Sequence, residues 1–295
     1  MEKGGIMELG DLIKRRRREL GLTQSELAQN ICTQALISRI EHNEIIPKNE
    51  ILDKIEKRLQ LKDDELRIVV SFKSNQHKID KVIAEIREYL SKREYKAIEL
   101  LLNYNKLLIE SSNDMNNISF FKWMEAALAY QLEKDWEKAL SILIDISIHE
   151  LENELSIEIL NAIGLIYYEE KDYDSALTYF HKGMHKINNS VDYKVQAKLK
   201  FNYSLALEIS EQNREALSVI LSAIDLLLEQ DSLYLLGDFY YTKAFIFDKL
   251  NNSQEALDNF ELAQSIFKIQ NNTRFYNLSQ IAISEIHNKN AIKED

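Results

Sequence analysis

Gln34, Ala35, Ser38 and Arg39 share one side of a short helical stretch, with Ile37 and Ile40 on the other. The Gln34 carboxamide offers a donor and an acceptor side by side, the pattern of an adenine edge. The Arg39 guanidinium is a fork that suits guanine or a phosphate, and the Ala35 methyl can pack a thymine methyl. Far downstream, Asn161 and Asn202 stand among apolar neighbours in comparable surroundings. A carboxamide there can both donate to and accept from an extended backbone, holding it without reading its sequence. The first set suits reading a duplex and the second suits gripping a peptide. Helix-to-helix hydrogen bonding is the competing role for the two asparagines.

The elements that must position the first set are legible. Residues 22–43 read as two short helices around a tight turn near Asn30–Cys32. Thr23 and Glu26 form a T-x-x-E capping pattern, in which each side chain meets an amide of the other residue. Leu27, Ala28 and Ile31 give the first helix an apolar side. A helix over residues 8–20 precedes them, with Leu9, Leu12, Ile13 and Leu20 inward and Gly21 as a left-handed stop. After Pro47 another helix is predicted over residues 48–59. Asp63, Asp64 and Glu65 open a fifth helix, where acids complement the helix dipole; this is a cap rather than a metal site. Residues 1–7 are expected to fray, with Met7 as an alternative start. The stretch to about residue 76 has no Pro/Gly hinge, so a helical linker is predicted over residues 68–78.

The runs Gly21-Leu22-Thr23-Gln24, Glu26-Leu27-Ala28 and Ser38-Arg39-Ile40-Glu41 resemble the lambda-repressor-like (Xre) helix-turn-helix family. Asn30-Ile31-Cys32, with Gln34 and Ser38-Arg39-Ile40-Glu41 after it, looks in particular like the PlcR group of peptide-pheromone regulators in the Rap/Rgg/NprR/PlcR/PrgX superfamily. The resemblance is close over the first 65 or so residues and architectural beyond them. It implies that Arg17 pairs with Glu41 across the small core, a task suited to a planar fork. It implies that Gln24 clamps a phosphate and that Lys48 and Asn49 hold the backbone. Arg16, Thr23 and Thr33 complete the expected DNA-facing set, although a solvated face is the competing reading for Arg15, Arg16 and Arg18. Ala35 and Leu36 stand where the family often has larger polar residues.

The net charge of −11 looks wrong for a DNA binder until it is divided. Residues 1–70 hold 13 basic and 13 acidic side chains, so the whole deficit lies beyond them. Lys14 to Arg18 reads KRRRR, and DNA affinity answers to such a local patch. The acidic remainder should face away from phosphate.

That remainder repeats. Ala97, Ala139, Ala176, Ala216 and Ala256 recur in REYKAIELL, KDWEKALSIL, KDYDSALTYF, QNREALSVI and NSQEALDNF. Twelve residues earlier come small residues, Ala127, Gly164, Ser204 and Ala244, whereas the first copy has Glu85. Aromatics follow three residues on, at Tyr130, Tyr167 and Phe247. The pattern is similar to the tetratricopeptide repeat (TPR), with a longer period that predicts longer loops between repeats; the chain beyond Phe275 reads as a capping helix. The first helix of each pair should line a concave face. Phe121, Met124 and Leu128 fall there, then Glu158, Asn161, Leu165 and Tyr168. Lys198, Phe201, Asn202 and Leu205 follow, then Asp238, Tyr241, Thr242 and Phe245. By resemblance, Asn161 and Asn202 hold the signalling peptide. Lys198 would take a carboxylate, and Tyr241 and Tyr276 serve as contact or packing.

No constellation for catalysis appears. There is no phosphate-cradling glycine loop and no HExxH, and His181 and His185 have no third ligand nearby. Cys32 is the single cysteine, which excludes an internal disulfide and suits a reducing compartment; a buried apolar role is the plain reading. No apolar run approaches the roughly 18–20 residues of a membrane span. The expectation is an all-α protein, with a lambda-repressor-like helix-turn-helix domain at 1–70 and a TPR-like α-solenoid at 79–295. It is expected to be a cytoplasmic, homodimeric transcription regulator, not an enzyme. It needs no metal or cofactor, binds inverted-repeat operator DNA, and is controlled by a short signalling peptide. The rival reading is a TPR scaffold for a partner protein, with the DNA head auxiliary.

Overall fold

The computed structural model describes residues 9–45, 47–61 and 65–294, with side chains at all of these except 49, 65–74 and 290–294. The expectations for residues 1–7 and for the Asp63–Asp64 cap lie outside that range. Every regular element is helical among the described residues, and the chain divides into compact units at 1–112 and 113–295.

The first unit begins with α1 (Leu9–Glu19), α2 (Gln24–Ala28), α3 (Gln34–Glu41) and α4 (Asn49–Leu59). Leu9, Leu12, Ile13, Leu27, Ala28, Ile37, Ile40, Leu52, Ile55 and Leu59 bury into one cluster, so each of the four helices supplies its apolar side. The capping box forms as predicted: the Glu26 amide donates to Thr23 Oγ1, and the Thr23 amide donates to the Glu26 carboxylate. Gly21 and Asn30 take left-handed backbone at the two turns. Asn43 then fixes the end of α3 to α1, its Oδ1 accepting from the Gly10 amide at 2.8 Å. The unit continues through α5 (Glu65–Ser91), α6 (Tyr95–Tyr104) and α7 (Lys106–Glu110). Residues 68–78, where a helical linker is expected, lie within α5.

The second unit starts with α8 (Met115–Leu128), which runs into a π turn at Ala129–Glu133, and α9 (Trp136–Ile144). Then come α10 (Asn153–Glu169), α11 (Tyr173–Met184), α12 (Tyr193–Ile209), α13 (Asn213–Glu229), α14 (Leu236–Lys249), α15 (Ser253–Ile269) and α16 (Thr273–Glu294). They pair as α8/α9, α10/α11, α12/α13 and α14/α15, with α16 packed on α15 as the cap. The recurrent alanines Ala139, Ala176, Ala216 and Ala256 are all fully buried. Each hairpin turn uses one residue in left-handed backbone: Lys134, Lys171, Glu211 and Asn251, five before its alanine. Polar side chains there reach water while the turn closes the first helix.

Two details differ from the sequence reading. In the first full pair Ala126, not Ala127, is the fully buried small residue. The π turn that follows inserts an extra residue and shifts the count to the next alanine by one. The longer period also does not lie only in loops. Residues 185–192 and 230–235 take some of it, but α10, α12, α13 and α15 each run to 17 residues.

Small residues do mark the helix crossings. A Cβ placed on Gly164 of α10 would stand 2.6 Å from the ring of Phe180 of α11, which is completely buried. The Phe180 ring also faces Tyr203 of α12, with centroids 6.4 Å apart. One core then runs from α10 to α15, through Phe180, Leu199, Ile220, Phe239 and Ile266.

Candidate functional site

The first site lies on the head. Arg17 and Glu41 meet as a bidentate ion pair, Nε to Oε1 at 2.5 Å and Nη2 to Oε2 at 2.8 Å, and the Glu41 side chain is fully buried. This is the pairing the family resemblance implied. Glu41 also accepts from Gln24 Nε2 at 2.9 Å, and Gln24 Oε1 accepts from Gln34 Nε2 at 2.7 Å. An ionised carboxylate can only accept, so it turns the Gln24 nitrogen inward and its oxygen outward. That in turn fixes which end of Gln34 faces Gln24. The second N–H and the oxygen of Gln34 remain, and those are the two groups an adenine edge requires.

Burial is the largest influence on the Glu41 carboxyl and raises its pKa. The hydrogen bonds from Arg17 and Gln24, with the charges of Arg17 and Lys14, outweigh burial and bring it below the usual carboxylate value.

The other head residues sort by what already holds them. Gln34, Ala35 and Arg39 are exposed on α3, and Ser38 is half-buried. Among the described residues Arg39 makes a surface pair with Glu44, 3.4 Å apart with both side chains more than half exposed. Such a pair is worth little and exchanges readily for a phosphate or base. Thr33 caps α3 by accepting from the Leu36 amide, as Thr23 caps α2, so both threonines shape the helix starts at the candidate interface. Lys48 is exposed at the start of α4 and makes no side-chain cap; the Asn49 side chain lies outside the described set. Arg16 donates to the Leu59 carbonyl at 3.1 Å and to Glu19 at 2.9 Å, so a phosphate contact would draw on its remaining N–H groups. Gln24 is likewise engaged at both ends, which makes it a bridge before it is a clamp. Sequence reading missed Arg58, which donates to the Glu26 and Gln29 carbonyls at the end of α2. No pattern in α4 singles it out.

The second site is a row along the first helices of successive pairs. Counted from Gly164, Ser204 and Ala244, residues Glu158, Lys198 and Asp238 fall six before, and Asn161, Phe201 and Tyr241 three before. Leu165, Leu205 and Phe245 fall one after. Asn202 Nδ2 donates to Asn161 Oδ1 at 2.9 Å, so the two amides are brought together across neighbouring pairs. The competing role weighed from sequence is thus occupied in this state. The bond uses one end of each amide and leaves the Asn202 acceptor and the Asn161 donors for another partner. Glu158 and Lys198 are each already engaged by a neighbour.

Phe201 packs edge-on against Phe239, and Tyr168 against Tyr173. Tyr241 sits among Phe245, Phe260, Phe267 and Phe275, with centroids 5.1–6.3 Å apart. Phe245 is 40% exposed, so this aromatic cluster reaches the surface of the row. Burial, and secondarily Glu285, pushes the Tyr241 hydroxyl up. The contributions of Phe260, Phe267 and Phe275 were not legible, because they come from the neighbouring α15 and α16. Leu205 and Tyr276 are half-buried.

Ionic bonds one repeat apart tie the last turns of these helices. Lys249 pairs with Glu208, and Lys289 with Asp248 at 3.1 Å. A hollow lined by Lys122, Glu125, Ser141, Ile142, Ile144 and Asp145 touches none of the row residues. His181 of α11 and His185 just beyond its end stand ring to ring, 4.4 Å apart. Among the described residues no three His, Cys, Asp or Glu are grouped to hold a metal, and no helix is long and apolar enough to cross a membrane.

The comparisons agree with both halves. A helix-turn-helix family matches residues 13–66, and the RNPP family C-terminal domain matches residues 82–288. The chain belongs to the RNPP family. The RNPP match covers most of the chain, all four hairpins of the second unit and the cap. Two solved structures of PlcR from Bacillus thuringiensis share the fold. One, in complex with the peptide PapR7 and DNA, has TM-score 0.63 at 24% identity, covering 93% of this chain and 99% of that one. The other, the apo form, has TM-score 0.62 at 20% identity, covering 96% and 99%. ComR from S. thermophilus, in complex with DNA and its signalling peptide ComS, has TM-score 0.51 at 14% identity, covering 95% and 100%. No curated protein matches the chain.

Proposed function

We propose that this RNPP chain is a cytoplasmic transcription regulator. Its grip on operator DNA is set by a short signalling peptide bound along the Asn161–Asn202 row. Residues 1–70 serve as the DNA-binding head, residues 68–78 as a helical link, and residues 79–295 as the peptide-sensing and dimerising part. The limits of the two family matches, 13–66 and 82–288, fit that division. The observation that carries the reading is the relay from Arg17 through Glu41 and Gln24 to Gln34, which presents an oriented, exposed amide at the start of α3. A helix start of that kind enters the major groove in helix-turn-helix proteins. A two-fold dimer of such heads reads an inverted repeat, with half-site spacing set by how the heads are held. The peptide acts by linkage: it shifts the population of head arrangements by at most its differential affinity for them. PlcR and ComR were each solved with both DNA and a peptide, which supports the pairing of the two ligands on one chain. No side-chain constellation among the described residues favours catalysis, and the well-formed head disfavours a scaffold role.

Selection of bound duplexes from a random pool, with and without candidate peptides, tests the reading. An enriched inverted repeat whose affinity responds to a peptide supports it; no preference for any duplex under either condition defeats it. On the selected operator, Gln34→Ala is expected to lose roughly 1–3 kcal/mol of discrimination, the scale of one bidentate base contact. Equal losses on operator and random DNA would remove Gln34 from base readout.

Asn202→Ala is expected to weaken peptide binding and leave DNA binding without peptide intact. It also removes the donor to buried Asn161, so a small loss of melting temperature should accompany it, from about 1 kcal/mol. A melting shift with unchanged peptide affinity would make the bond structural only.

A further inference from the structure

Asp238 stands in the first turn of α14, in the same repeat position as Glu158 and Lys198. The row therefore reads acidic, basic, acidic across three successive pairs. Glu158 and Lys198 are engaged. Asp238 is half-buried, and no ion pair meets its carboxylate among the described residues. Its carboxylate accepts from its own backbone amide in the first turn of α14, a bond that brings no counter-charge. Thr242 Oγ1 donates to the backbone carbonyl of Asp238, not to its carboxylate.

The surroundings are apolar and aromatic. Phe239 next to it is completely buried against Phe201, and Tyr234 lies near enough to feel its charge. Loss of water raises the carboxyl above its ordinary value and outweighs the bond from its own amide. A carboxylate removed from water without a counter-charge is costly to a folded protein. A cation delivered by a ligand would offset that cost.

We infer that the peptide held along this row carries a positive charge, a Lys or Arg side chain or a free N-terminal ammonium, that pairs with Asp238. This rests on the peptide-sensing reading above and assigns its ligand a chemical class. Asn161 and Asn202 take the backbone without reading sequence, Tyr241 and Phe245 offer apolar surface, and Asp238 adds selection for a positive charge.

The test uses the full chain and synthetic pools of short peptides matched in length. One pool carries a single Lys, a second carries norleucine in its place, and a third carries Glu. Each is made with a free and with an acetylated N-terminus. Binding is read by fluorescence anisotropy on the wild type and on Asp238→Asn, and the melting temperature of each unliganded protein is recorded. The expected result is that the Lys pool, or the free-amine forms, bind the wild type about tenfold or more tightly than the neutral acetylated pool, as for a charge-assisted bond. Acetylation that abolishes the advantage assigns the cation to the N-terminus; an advantage that survives acetylation assigns it to the side chain. In Asp238→Asn the advantage should vanish while the unliganded melting temperature stays level or rises. Equal binding of all pools, or a preference that persists in Asp238→Asn, would overturn the inference. So would a lower melting temperature with the preference intact, which marks Asp238 as structural. Binding by no pool at all would defeat the peptide-sensing reading itself and take this inference with it.

Discussion

Arg17→Ala is expected to destabilise the head by about 3–5 kcal/mol, the cost of removing one partner of a buried ion pair. The substitution leaves the Glu41 carboxylate, with none of its side chain exposed, held by Gln24 and the charge of Lys14. A four-helix core this small has little reserve to absorb that loss. The measurement is urea unfolding followed by far-ultraviolet circular dichroism. Both tryptophans, Trp123 and Trp136, lie outside the head, so their fluorescence serves as an internal control that should not move. A midpoint within error of the wild type would mean that water reaches the pair. Replacing both partners, Arg17→Met with Glu41→Leu, should recover much of the stability, because no charge is then stranded. It should not recover operator discrimination, since Gln24 has lost the acceptor that orients it and Gln34. The sign of the acid dependence follows from Glu41. Its folded pKa lies below the ordinary value, so its contribution is present above the unfolded pKa and is lost as pH falls through the folded one. The head should therefore weaken on acidification in the wild type and much less so in the double variant.

The sequence was informative where one short stretch determined the outcome. Thr23 and Glu26 are three residues apart, and their mutual capping needs nothing else from the chain. The recurrent alanines were legible for a similar reason: a close helix crossing tolerates only a small residue, and it recurs at every pair. What could not be read were contacts decided by distant segments. Glu41 was expected to meet Arg17 through the family resemblance, but its bond to Gln24, and the bond from Gln24 to Gln34, depend on how α2 and α3 approach each other. The resemblance made Gln24 a phosphate clamp, while the folded head first uses it as a bridge. In the row, Asn161 and Asn202 were found by their surroundings, yet nothing local says they bond to each other. The π turn after α8 is the clearest miss. A period-based alignment assumes that no residue is inserted, and beside the π turn the fully buried alanine is Ala126 while Ala127 is half-buried.

Phe180→Ala should cost the repeat unit about 3–5 kcal/mol, the range for emptying a buried aromatic site. Phe180 has no exposed surface, and it stands between Gly164 of α10 and Tyr203 of α12. Those two helices carry Asn161 and Asn202. A void at Phe180 therefore loosens the spacing on which the 2.9 Å bond between the asparagines depends, and peptide affinity should fall along with stability. Gly164→Ala alone should also destabilise, by about 1–3 kcal/mol, because the new methyl would overlap the Phe180 ring. The two changes are opposite errors at one contact. Combined, the methyl added at Gly164 occupies part of the space that Phe180 vacates, so the double variant should be more stable than the sum of the singles predicts. Urea unfolding followed by tryptophan fluorescence measures all three. Strict additivity would mean that Gly164 and Phe180 do not share the crossing. A loss below about 1 kcal/mol for Phe180→Ala would mean that the neighbouring pairs collapse onto the void and that the register of the row is not set there.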